Sequence, residues 1–269
     1  MTLLNKIFDF LFGLISSLPQ QLSLILVAAV FGILLVPVYG RVSPQRQIAQ
    51  AKKRIFAALF ESVIFRRSSA LSLKAQAKMG FNGLKYFCLA IPPILILAVP
   101  CLIVLAQCNL FFGLRGISPG IPTLVVAHLA DSSDPKNVSL SSVAGIDISG
   151  PVRDLQQSEV AWRIVVSETF KESLEAPIIT LAAEAGTLSF PLQIGDTNRK
   201  VYPLNSASFL DNLFYPTDLK TPPWIKSLEV RYPERTLNYG SFSTHWVLLF
   251  LVVSIISGYI ASKFLGVEL

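Results

Sequence analysis

Histidine and cysteine are scarce in this chain, with two and three copies among 269 residues. His128 and His245 have no spaced partner of ligating type, so neither a metal centre nor a Ser-His-Asp arrangement is expected. Cys88, Cys101 and Cys108 all fall in or beside one apolar run, and residues 110–242 contain none. Any fold there must rest on a hydrophobic core rather than on disulfides. Cys101 and Cys108, seven apart, share a helix face and read as small packing residues. No Gly-rich loop cradles a phosphate, which argues against nucleotide use. Asp131 and Asp134 resemble half a calcium loop but lack its glycine and terminal glutamate, so they read as turn caps. No catalytic residue, cofactor or metal is expected, and the chain reads as non-enzymatic.

Charge is also sparse, at 15% of residues against 52% hydrophobic, with a mean hydropathy of +0.56. That excludes a purely water-soluble protein and a disordered one. The hydrophobicity is concentrated in three uncharged blocks, LSLILVAAVFGILLVPVY from Leu22, YFCLAIPPILILAVPCLIVLAQ from Tyr86 and WVLLFLVVSIISGYIAS from Trp246. A helix rises about 1.5 Å per residue and the hydrocarbon layer is about 30 Å thick, so each block is long enough to cross with its flanking residues. The reading is three transmembrane helices, over 22–39, 86–108 and 245–264.

The basic residues sit almost entirely between the first two blocks. Residues 41–85 carry ten basic side chains against Glu61 alone, a balance of +9, while 110–242 balance to −3. By the positive-inside rule the 41–85 loop is cytoplasmic, 110–242 lie outside and the C-terminus lies inside. Topology explains the basic loop first, and contact with anionic lipid or ribosome second. DNA is not expected as a partner.

Residues 1–18 place Leu3, Leu4, Ile7, Phe8, Leu11, Leu14 and Ile15 at helical spacing, with Asn5, Lys6, Asp9, Gly13 and Ser16 opposite. The stretch lacks the basic start, uninterrupted apolar run and small-residue cleavage site of a signal peptide, and reads as an amphipathic helix in the outer interface. Residues 41–85 carry two further helical patterns. Ile48, Ile55, Phe56, Leu59 and Val63 form one stripe, and Ala70, Leu73, Ala77, Phe81 and Leu84 form another, separated by Arg66, Arg67, Ser68 and Ser69. These predict an antiparallel helical hairpin joined through its apolar stripes, with a basic outside, or else two helices that merely extend spans one and two into the cytoplasm.

The stretch SPQRQIAQAKKRIFAALFESVIFRR (Ser43 to Arg67) resembles the segment that follows the first span in membrane insertases of the YidC family, where a proline-containing start leads into a basic helix. Asn82-Gly83 ahead of the Pro92-Pro93 span is faintly similar to the approach to their second span. The resemblance covers residues 40–108. It implies an exterior N-terminus, a first span, a basic cytoplasmic hairpin and two more spans, with a β domain inserted here before the third. It also implies a role in inserting or assembling membrane proteins. On that reading Arg41, Lys52, Lys53, Arg54, Arg66, Arg67, Lys74 and Lys78 receive a nascent or partner segment. Spans one and two frame a slot, Pro92, Pro93 and Pro100 bend span two, and Gln107 and Ser254 line an opening.

Residues 110–242 read as an all-β domain of immunoglobulin-like sandwich type. Strands are expected at Thr123–Leu129, Val138–Ile148, Val160–Ser167, Ile178–Ala183, Thr187–Ile194 and Ile225–Tyr232, with a hairpin at Glu184-Ala185-Gly186 and a helical turn at Ser208–Phe214. Trp224 is a candidate partner anchor, with burial in the core as the alternative. Asn137-Val138-Ser139 fits a glycosylation acceptor, a pattern too short to weigh much. The competing function is a membrane-anchored scaffold or accessory subunit of a complex, whose exterior domain binds an envelope partner. The location expected is a bacterial inner membrane, with the lipid bilayer, other membrane proteins or nascent chains, and the ribosome as candidate partners.

Overall fold

Each long uncharged run becomes a long helix. The computed structural model describes residues 2–65, 67–131, 133–141, 144–168, 176–196, 198–217, 219–239 and 242–268. Helix α1 (Thr2–Ile15) precedes α2 (Gln20–Val42), α3 (Gln45–Ile64) and α4 (Ser69–Cys108), and after the β domain come α5 (Phe209–Phe214) and α6 (Trp246–Leu265). Among these, α2, α4 and α6 are long and apolar enough to cross a membrane. The chain divides into two units: Met1–Ser23 with Ile103–Trp246, and Leu24–Leu102 with Val247–Leu269.

In the second unit, Pro44 separates α2 from α3, because a proline lacks the amide donor that a continuous helix needs and disfavours helical backbone just before it. No such break falls at Lys85, so the second hairpin helix extends span two, the alternative that the sequence left open. They form one helix of 40 residues, about 60 Å long at the ordinary rise, with Pro92, Pro93 and Pro100 inside it. The hairpin is antiparallel. Lys78 Nζ lies 3.0 Å from Glu61 Oε1, and Lys52 Nζ lies 5.9 Å from the Tyr86 ring centre.

Its packing is not the one the stripes predict. The buried positions are Ile48, Ala51, Ala58 and Ala75, whereas Phe56, Leu59, Val63, Leu73, Phe81 and Leu84 are exposed. Ile48 belongs to the predicted stripe, but the other three buried residues are alanines, and most bulky residues of the same helices are left outside.

The β domain of the first unit has one core shared by two antiparallel sheets. Strands β1 (Pro122–Leu129), β2 (Ser139–Ser141), β3 (Ile146–Asp154), β4 (Glu159–Val166), β5 (Ile178–Ala183), β6 (Gly186–Pro191), β7 (Leu204–Ser206) and β8 (Ile225–Val230) form a five-stranded sheet ordered β3-β4-β1-β8-β7 and a three-stranded sheet ordered β2-β5-β6. A small hairpin, β9 (Leu237–Tyr239) with β10 (Phe242–Thr244), leads to α6. Alternation sets the inner face. Val160, Trp162, Ile164 and Val166 of β4 point to the same side, as period-two geometry requires, and are buried with Ile179, Leu181, Leu188 and Phe190 of the smaller sheet.

The predicted strand Val138–Ile148 is instead two strands, β2 and β3, in different sheets, with Ser142 and Val143 outside the described residues. Glu184 and Ala185 do turn the β5–β6 hairpin, and Gly186 follows at φ +143, a conformation that L side chains rarely adopt. Any Cβ there would also sit against the Trp224 indole.

Candidate functional site

The second unit places a groove among its three long helices. A cavity of about 550 Å³ is lined by Gly32, Leu35, Val36 and Tyr39 of α2, Ile94 and Leu97 of α4, and Ser254, Ile255, Gly258 and Tyr259 of α6. One wall is tight. A side chain on Gly32 would collide with the Ser254 carbonyl and the Ser257 hydroxyl, and one on Gly258 would press the Gly32 carbonyl at 3.2 Å. Gly32, Ser254 and Gly258 thus bring α2 and α6 together through small residues, the usual device where lipid offers no hydrophobic drive. On α4 the lining is Ile94, which is exposed, and Leu97, which is buried; Leu95, Ile96 and Val99 are exposed elsewhere on the same helix.

Beside the groove, in the same unit, the hairpin divides its charges between two tasks. Lys52 pairs with Glu268 at 3.3 Å and Lys78 with Glu61, which fastens the hairpin. Lys53, Arg54, Arg67 and Lys74 are exposed. Arg41 caps its own helix, donating from Nη1 to the Pro37 carbonyl at 3.4 Å, where a cation also suits the negative helix end. Arg66 lies outside the described residues.

A second cluster lies in the first unit, where α4 ends and turns into a π-helical segment, Asn109–Gly113. Gln107 is 1% exposed and lines no opening, contrary to expectation. Its Nε2 donates to Asn5 Oδ1 at 2.8 Å, and its Oε1 accepts from Lys200 Nζ at 2.7 Å. Lys200 Nζ also lies 2.6 Å from Asp9 Oδ1 and 5.3 Å from the Phe12 ring centre. The cluster therefore fastens α1, whose Phe12 stacks on Phe111 with ring centres 4.6 Å apart. Nearby, Arg235 donates from Nη1 to the Phe111 carbonyl at 2.9 Å and from Nη2 to Asp196 at 2.6 Å, satisfying a carbonyl at the helix end. Burial pulls the Arg235 guanidinium below its ordinary pKa, and Asp196 offsets part of that.

Trp224 is not a surface anchor. It is 4% exposed within the β core, and its carbonyl accepts from the Ala130 amide and the Ser133 hydroxyl at 3.0 Å each. His128 pairs across strands with Glu159, its Nδ1 2.9 Å from Oε1. Asp134 caps the Lys136 amide at 2.9 Å, an ordinary turn contact, whereas Asp131, expected as a turn cap, forms an exposed ion pair with Lys226 of β8 at 2.6 Å. Among the described residues no three His, Cys, Asp or Glu side chains gather as a metal site.

The residues that sequence reasoning missed are Gly32, Ser257 and Gly258, together with Asn5, Asp9 and Lys200. A small residue at 254 and another at 258 was a readable signal. Lys200 sits in a loop with no periodicity, so only the fold reveals that it is buried. No family model, no curated protein and no solved structure matches the chain.

Proposed function

We propose that this chain is a non-enzymatic insertion or assembly factor for membrane proteins, of YidC-like type, in a bacterial inner membrane. The groove of the second unit carries the reading. One wall is closed by the Gly32–Ser254–Gly258 contact, while on the α4 side the lining residue Ile94 is exposed. An apolar client helix laid there covers its own apolar face and meets small residues on one side. The charge balance of +9 in 41–85 against −3 in 110–242 supports a cytoplasmic hairpin, an exterior β domain and an interior C-terminus. In that orientation Arg41, Lys53, Arg54, Arg67 and Lys74 face the compartment in which nascent chains are made, and the ribosome is a further partner of the same basic surface. The exterior domain is read as an immunoglobulin-like sandwich, supported by five-stranded and three-stranded antiparallel sheets around one core.

Photocrosslinkable residues at Ile94 and Lys53 test the reading in living cells. Adducts with newly made membrane proteins are expected at both positions. Absence of any such adduct, together with full complementation of a deletion by a Lys53→Gln, Arg54→Gln, Lys74→Gln variant, would overturn it. A fixed complex retained through the exterior domain would then favour the scaffold role.

A further inference from the structure

Two short helices of the first unit are built inside out. A helix on a water-facing surface turns its apolar stripe to the core and its polar side to solvent. Helix α5 does the reverse. Its polar side is tied to the domain, with Asp211 Oδ2 accepting from the Ser206 hydroxyl at 2.7 Å and Asn212 Nδ2 donating to the Ser206 carbonyl at 2.8 Å. Its other side presents Phe209 at 72% exposure, Leu210 at 63% and Phe214 at 45%. Helix α1 repeats the pattern. Asn5 and Asp9 are held by Gln107 and Lys200, while Phe10 and Leu14 are 69% and 63% exposed.

The place of α5 says which medium covers it. Tyr215, next after α5, lines a cavity of about 490 Å³ together with Asn109, Gly113 and His245. Asn109 directly follows the last residue of α4, and His245 directly precedes α6. The end of α5 is therefore one cavity away from the points where two membrane-crossing helices end. An outward apolar face so near those span ends is placed to meet lipid, as is that of α1, which runs through four residues into α2.

We propose that Phe209, Leu210 and Phe214 dip into the bilayer leaflet on the side of the β domain, so that this domain rests on lipid through α5 as well as through α1. The occupant is the acyl boundary of the leaflet, not a protein partner. The proposal depends on the spans crossing a membrane and not on the insertion reading.

The test uses full-length protein with Cys88, Cys101 and Cys108 replaced by alanine and one new cysteine, Phe209→Cys, Leu210→Cys or Phe10→Cys, carrying an environment-sensitive nitrobenzoxadiazole dye. Val152→Cys is the control, since Val152 is exposed on β3, the edge of the five-stranded sheet opposite β7. Each protein is reconstituted into phosphatidylcholine and phosphatidylglycerol vesicles with or without a lipid bearing a nitroxide on its acyl chain. Probes at 209 and 210 are expected to be quenched several-fold more than the probe at 152. Quenching at 10 without quenching at 209 or 210 means that α5 faces water or a protein, and overturns the proposal. Equal quenching at all positions, 152 included, means non-specific adhesion and overturns it too. Should Phe209→Cys not reconstitute, Leu210→Cys and Phe214→Cys sample the same face.

Discussion

The β domain packs around large side chains, whereas in the helical unit α2 and α6 meet through small ones, although Leu24 and Phe250 are buried there too. In the β domain the residues withdrawn from the surface are large, Trp162, Ile164, Leu181 and Phe190 among them. In the helical unit α2 meets α6 through Gly32, Ser254 and Gly258, while Leu95 and Ile96 of α4 stay outside. Water makes burial of a large apolar side chain favourable by about 1.5–3 kcal/mol. Lipid tails offer no such gain, so close packing decides which residues meet. One chain thus obeys two burial rules, each set by the medium around it.

The contrast is sharpest for one substitution made in both places. Leu181→Ala, at a fully buried position of β5, is expected to cost about 2–5 kcal/mol. Leu95→Ala, on the uncovered side of α4, should cost far less. Thermal unfolding in detergent, followed by protease resistance of the β domain, measures both. Equal losses would mean that α4 is covered by something the single chain does not supply.

A smaller effect is expected at the polar cluster that holds α1. Lys200→Ala removes the partner of Asp9 and Gln107, at a cost of about 1–3 kcal/mol. The loss should be local, so limited proteolysis should release residues 1–18 while the β core melts as before. Glycines give a test of opposite signs. Gly32→Ala should loosen α2 from α6 by about 1–3 kcal/mol, because the added carbon meets the Ser254 carbonyl. Gly80→Ala, with nothing near its position in α4, should stabilise the helix by up to about 1 kcal/mol. Cysteine crosslinking between positions 35 and 255 reads the first, and helix content under denaturant reads the second. The smallest change is expected from Lys78→Gln. An exposed pair with Glu61 contributes about 1 kcal/mol or less and weakens with salt.

The spans were legible because an uncharged run of 17 to 22 residues has few other uses. Most strands were legible because the β4 sequence EVAWRIVV alternates at period two and water rewards that alternation. The hairpin contact was not legible in the same way. On a helical wheel the stripe Leu73–Phe81–Leu84 looks like a core, yet the buried residues of the hairpin are Ile48, Ala51, Ala58 and Ala75. Trp224 was legible as a core residue by size alone. Gln107 was misplaced because its partners, Asn5 and Lys200, are far from it in sequence and carry no shared pattern.

The polar cluster around Lys200 also orders events in time. Asn5 is made 102 residues before its partner Gln107, and Asp9 is made 191 residues before Lys200. At roughly 5–20 residues per second Asp9 waits on the order of ten seconds or more for Lys200. During that interval water can satisfy the polar side while the apolar face, with Phe10 and Leu14 outward, lies against the bilayer. Helix α1 can thus meet lipid before the loop that carries Lys200 exists to fasten it.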